Sequence, residues 1–173
     1  PHWIKDYPTA LKACALLKKK NIDFQYTIIG GQGNEELQFL IDQFKLRDTI
    51  FLTDKIPQNQ VYKEMRMADV LLITSIEEGL PNVAVEAMAL GLPVISTDCG
   101  GVEELIIDDM ERWLVPIRNP KALATAIAQL KNLSLEQINT ITLAARAKVE
   151  QQHTVEKMVN DMEKIYFFAL KSL

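Results

Sequence analysis

The sequence predicts an α/β fold, a parallel sheet flanked by helices. Helical and extended segments alternate from residue 7 onward, the connections are short and punctuated by Gly, Pro or Asn, and no low-complexity linker or internal repeat breaks the alternation. Strands that alternate with helices are the mark of βαβ units, which build parallel sheets.

Taken in order, Leu11, Cys14 and Ala15 give a first helix its apolar stripe. Lys18, Lys19 and Lys20 fall at its C-terminal end, where cations suit the dipole; a solvated helix end explains them better than a phosphate role. Residues 24–29 read as a buried strand ending at Gly30. Gly30, Gly31 and Gly33 then turn the chain into a helix that Asn34 can cap, with Leu37, Leu40, Ile41 and Phe44 on one face. These glycines look like a dinucleotide fingerprint, but a third glycine is not at the proper spacing. Ile50–Thr53 reads as a strand, Gln58–Met67 as a helix, and residues 69–74 as a strongly apolar strand. A short helix follows, opening at Pro81 or Asn82 and stopping at Gly91, ahead of Pro93. Residues 93–97 form the next strand; Gly100 and Gly101 precede a short helix through Ile107, and residues 112–115 form the last strand. Asn119 and Pro120 supply the N-cap and first position of a helix to Leu130, and Ser134 with Gln137 makes a capping box for the next. A final helix over about residues 154–170 carries Val155, Met158, Val159, Met162, Ile165, Tyr166 and Ala169 at helical spacing, a stripe expected to be a packing surface.

The 173 residues suit one domain over 1–173 with a full core. Hydrophobic residues make up 48% and charged ones 24%, which excludes disordered and fibrous classes. With 19 basic against 23 acidic residues the net charge is −4, and the broad positive footprint of a nucleic-acid binder is missing. Cys14 and Cys99, the only cysteines, lie in no metal-ligand spacing and read as thiols in a reducing compartment. No apolar run reaches the ~18 residues of a membrane span and nothing resembles a signal peptide, so a cytoplasmic chain is expected. The Asn132-Leu133-Ser134 sequon is read as accidental for the same reason.

The chemistry concentrates in EEGLPNVAVEAMALGLPV, where Glu78 and Glu86 stand with seven residues between them. Glu78 precedes a turn, and Glu86 shares a helix face with Asn82. Free N–H groups and the positive dipole end at a helix start attract phosphate. A carboxylate one turn further along can accept bonds from a pair of sugar hydroxyls, and one in the preceding loop can meet hydroxyls beyond the phosphates. The arrangement suits a nucleotide sugar, and it lies outside the carboxyl end of a strand, where open parallel sheets bind ligands.

The run S-I-E-E-G-L-P-N-V-A-V-E-A-M-A-L-G-L-P-V-I-S-T-D-C-G-G-V-E-E-L resembles the donor-site signature of the group 1 retaining glycosyltransferases of the GT-B fold. The resemblance implies a Rossmann-like parallel sheet flanked by helices, the C-terminal half of a two-domain enzyme that transfers a hexose from a nucleoside-diphosphate sugar to an acceptor hydroxyl with retention. It implies that Glu86 meets the ribose hydroxyls, that Glu78 meets hydroxyls of the donor hexose, and that the backbone of Gly79, Leu80, Pro81, Asn82 and Val83 meets phosphate and sugar oxygens. Gly30 and Gly31 would line the donor cleft. His2-Trp3-Ile4-Lys5-Asp6-Tyr7-Pro8 resembles the end of a segment carrying an arginine and a lysine that neutralise the diphosphate, so Lys5 takes the lysine position and the arginine would precede Pro1. The chain is therefore expected to be a fragment without its first strand and its N-terminal acceptor domain, through which any peripheral membrane association would run.

With no Asp-x-Asp and only His2 and His153 as histidines, no metal is expected, and no cofactor beyond the donor itself. Glu78 is not assigned as a covalent nucleophile, and Cys99 lacks the histidine partner such a role needs. Gly100 and Gly101 serve either an acceptor-side contact or turn geometry. A non-catalytic nucleotide-sugar-binding module, a receiver-like interaction domain and a GT-B-like sugar-nucleotide epimerase are the alternative readings.

Overall fold

The computed structural model describes residues 3–105 and 113–171. A 3-10 turn over Trp3–Lys5 leads into α1 (Tyr7–Lys19), followed by β1 (Tyr26–Ile29), α2 (Glu35–Gln43), β2 (Ile50–Thr53), α3 (Gln58–Met67), β3 (Leu71–Ile73), α4 (Asn82–Ala89) and β4 (Val94–Thr97). A second 3-10 turn, Gly101–Glu104, precedes β5 (Leu114–Val115), α5 (Pro120–Lys131), α6 (Leu135–Gln152) and α7 (Val155–Lys171).

All strand pairing is parallel, as βαβ alternation requires. The strands fall into a pair, β1–β2, and a triplet, β3–β4–β5. Strands 24–29 and 69–74 are shorter than expected because pairing begins only at Tyr26 and Leu71, which apolar composition does not report. The helix expected through Ile107 appears as the Gly101–Glu104 turn capped by Leu105, and the last strand spans only Leu114–Val115; residues 106–107 and Arg112 lie outside the described residues.

The helix ends follow local chemistry. Asn34 accepts from Leu37 N at 2.8 Å, Asn119 from Ala122 N at 3.0 Å, and Ser134 and Gln137 exchange both bonds of a capping box. Gly91, at φ 76°, closes α4 in a Schellman motif: Leu92 N donates to Ala87 O at 2.9 Å and Gly91 N to Met88 O at 3.0 Å.

The core divides with the strands. One large cluster gathers Ile73, Met88, Ile95, Leu105, Trp113 and Leu123; a second gathers Leu11, Ile28, Leu37, Leu46 and Ile50, and a small third holds Met65, Ala87 and Leu92 between α3 and α4. Helix α1 joins the first two, sending Ala13 and Leu17 into the first and Leu11 and Cys14 into the second, and half-buried Phe24 touches both. Helix α7 buries none of its residues; Met158, Ile165, Tyr166 and Phe167 are all at least 59% exposed. The stripe expected to pack therefore has no surface under it among the described residues.

Candidate functional site

Strand β3 ends in a polar shoulder. Thr74 and Ser75 are buried, and each is tied across the fold: Thr74 Oγ1 donates to Lys5 O at 2.7 Å, and Thr97 Oγ1 donates to Ser75 O at 2.6 Å. Ile76 N donates to Ile4 O at 2.8 Å, so the first turn of the chain lies alongside this shoulder. That placement joins residues 73 positions apart: Lys5 Nζ donates to Glu78 Oε1 at 2.5 Å, and Ser75 Oγ reaches the same oxygen at 2.8 Å. Oε2 of Glu78 accepts no bond among the described residues. Burial pushes the Glu78 carboxyl up, but the bonds from Lys5 and Ser75, together with the lysine charge, outweigh it and hold the group below its usual range.

The backbone of Glu78 is clamped as well. Its N–H donates to Cys99 O at 2.7 Å, its carbonyl accepts from Gly101 N at 3.4 Å, and it forms an isolated parallel bridge with Gly100 beyond the ends of β3 and β4. The two glycines exist for this approach. A Cβ on Gly100, at φ 112°, would stand 2.5 Å from Glu78 O, and one on Gly101 would stand 2.4 Å from Gly79 O. Of the two readings the sequence left open for this pair, the geometry supplies the turn and adds that it seats Glu78.

Helix α4 starts after buried Pro81, and the N–H groups of Asn82 and Val83 open its first turn. Asn82 is exposed; Ala84, Ala87 and Met88 anchor the opposite face. Glu86 sits one turn in, about 6 Å along the axis from Asn82. Its Oε1 accepts from Gln58 Nε2 at 2.9 Å and Tyr62 OH at 3.1 Å, both on α3. Desolvation, with the Glu86 bond second, raises the Tyr62 phenol above its ordinary value, so it remains a donor at neutral pH.

The structure thus brings together Lys5, Glu78, Gly79, Leu80, Pro81, Asn82, Val83 and Glu86 along one loop and helix start. Gly30 and Gly31 are placed differently. Their N–H groups bond to Asp54 O and Ile28 O; Gly30 stands at φ 77°, and a Cβ on Gly31 would meet the Leu52 side chain at 3.0 Å, so the turn itself favours glycine at both positions whatever else they contact. Glu77 is exposed, as a solvated neighbour should be. Cys99 is buried and its thiol is pushed up by desolvation, against nucleophilic use. Lys18 pairs with Asp48 and Lys45 O, away from any ligand surface. Gln58, Tyr62 and the hydroxyls of Thr74, Ser75 and Thr97 had no role in the sequence reading. The i, i+4 spacing of Gln58 and Tyr62 was the only signal, and it named no partner.

Comparison with known proteins matches this architecture. Residues 2–148 fit the family profile described as "Glycosyl transferases group 1". The amylovoran biosynthesis glycosyltransferase AmsK of Erwinia amylovora is 36% identical over 155 residues, covering 86% of this chain and 38% of that protein. Among solved structures, a glycosyltransferase from Rickettsia africae superposes with a TM-score of 0.83 at 25% identity, over 98% of this chain and 46% of the other. Anabaena HepE, solved with UDP-glucose, superposes at 0.82 and 22% identity over 100% of this chain and 47% of its own, a likeness of fold. The chain spans about two fifths of the length of the curated relatives it matches. The acid pair and its glycine clamp therefore stand within a known lineage: the chain belongs to the group 1 glycosyltransferases.

Proposed function

We propose that the chain is the donor-binding half of a two-domain enzyme that transfers a hexose from a nucleoside-diphosphate sugar to an acceptor hydroxyl with retention. One observation carries the reading: on either side of the α4 N-terminus stands a carboxylate held through one oxygen by two donors, its other oxygen accepting no bond among the described residues. Glu86 takes the ribose hydroxyls, the α4 start takes the diphosphate, and Glu78 takes hydroxyls of the hexose.

Lys5 then has two partners in turn. Without donor it pairs with Glu78; with donor, its ammonium shares its charge with the diphosphate and offsets what develops as the glycosidic bond breaks. In a same-face route the acceptor oxygen bonds to the anomeric carbon as the phosphate oxygen leaves, and the departing diphosphate takes the acceptor proton. Gly30 and Gly31 remain proposed as walls of the donor cleft. No metal or cofactor is needed in this scheme, and transfer should persist in EDTA.

Relatives more than twice as long as the matched segment support a facing acceptor domain, and the exposed apolar side of α7 gives such a domain a surface to cover. A cytoplasmic setting fits two buried free thiols; no described helix is long and apolar enough to cross a membrane.

Calorimetric titration of the complete natural protein with UDP, GDP and ADP and their sugars tests the reading. Lys5→Ala and Glu86→Ala should each weaken the best donor about tenfold or more, and unchanged binding in both would remove the site. The 173-residue chain alone should bind weakly and turn nothing over; robust transfer by it would refute the two-domain arrangement.

A further inference from the structure

Gln58 and Tyr62 lie four residues apart on α3 and so share a face, which is turned to α4. Both side chains donate to one atom, Glu86 Oε1. Glu86 Oε2 accepts no hydrogen bond among the described residues. The terminal torsion of a glutamate is otherwise broad, and two bonds to one oxygen fix it. Both donors are neutral, so they orient Glu86 without a counter-charge, whereas Glu78 carries the charge of Lys5 against it.

Cohesion between the helices does not require these polar bonds. Met65 of α3 is buried with Ala87 and Leu92, and Val61 and the Tyr62 ring pack on the same cluster, so an apolar contact already holds α3 to α4. Polar bonds added at a half-exposed rim contribute little to folding, but they decide where the free oxygen points. An oriented carboxylate oxygen with two lone pairs suits two adjacent hydroxyls better than one.

We propose that Gln58 and Tyr62 are positioning residues of the donor site: by occupying one oxygen of Glu86 they aim the other at the cis-diol of a ribonucleoside, and so set a preference for ribose over 2′-deoxyribose. The inference rests on the reading of Glu86 as the ribose acceptor.

The test titrates the complete natural protein with UDP, GDP, ADP and CDP and their 2′-deoxy counterparts, and carries the tightest pair into variants. The wild type should prefer the ribonucleotide about tenfold or more, and Glu86→Gln should abolish most of that ratio. Tyr62→Phe combined with Gln58→Met, which keeps side-chain volume, should lower the ratio about fivefold through the ribonucleotide arm, with the deoxynucleotide arm unchanged within about twofold. Should the double variant melt early, Tyr62→Phe alone, which removes one oxygen atom, must still lower the ratio about twofold or more. If Glu86→Gln moves the ratio and the α3 variants do not, the pair is a helix tie and the proposal is overturned while the ribose reading stands. A wild type with no ribose preference, or a Glu86→Gln variant that keeps it, overturns both.

Discussion

Glu78 is bound through its backbone to Cys99 and Gly101 and through one carboxylate oxygen to Lys5 and Ser75, an investment that a surface carboxylate does not need for stability. Its ion pair is part-exposed, at 46% for the Lys5 side chain and 20% for that of Glu78, so it contributes about 1 kcal/mol or less. Glu78→Gln should therefore leave the protein folded, with a cost under about 1 kcal/mol at pH 7. The sign of its pH dependence is fixed. The folded carboxyl titrates below its ordinary value of 4.5, so the contribution is present above that value and is lost as pH falls through the folded one. Urea midpoints of Glu78→Gln and wild type should separate at pH 7 and draw together as pH falls below 4.5; a constant gap would mean that the ion pair contributes nothing.

Two elements carry constraints that their own sequences only half announce. The Gly100–Gly101 step works by absence of side chains, and Gly100→Ala must move the Glu78 carbonyl or itself, at a cost of about 2–4 kcal/mol. Gly91 shares a positive φ but has nothing within 4 Å of its missing Cβ, so Gly91→Ala should cost only about 1–2 kcal/mol of conformational strain. Equal destabilisation of the two in urea melts would show that the approach to Glu78 is not what requires Gly100. Helix α7 is the opposite case, a strong apolar stripe without a burial site among the described residues. A chain ending at Gln152 should melt within about 2 °C of the 173-residue chain, because surface groups away from the core contribute about 0.5 kcal/mol. A large drop in scanning calorimetry would show that α7 supports the body after all.

At the scale of the whole molecule, α1 decides whether the paired strands and the strand triplet behave as one unit. Leu11 and Leu17 are both fully buried, yet they face different clusters. Leu11→Ala and Leu17→Ala should each lower the same single unfolding transition by about 2–5 kcal/mol, and a transition that splits in either variant would make the clusters independent. The sequence by itself determined the parallel α/β class, the caps at Asn34, Asn119 and Ser134, the stop at Gly91 and the Glu78–Glu86 segment. Each of these is written in neighbouring residues, through periodicity, capping chemistry or spacing. Strand pairing into two groups, the bond from Lys5 to Glu78, the hold of Gln58 and Tyr62 on Glu86 and the clamp of Gly100 and Gly101 were decided only by the tertiary structure. Those contacts join residues 28, 73 or more than 20 positions apart, and a periodic pattern states which face a residue occupies but not which distant face will meet it.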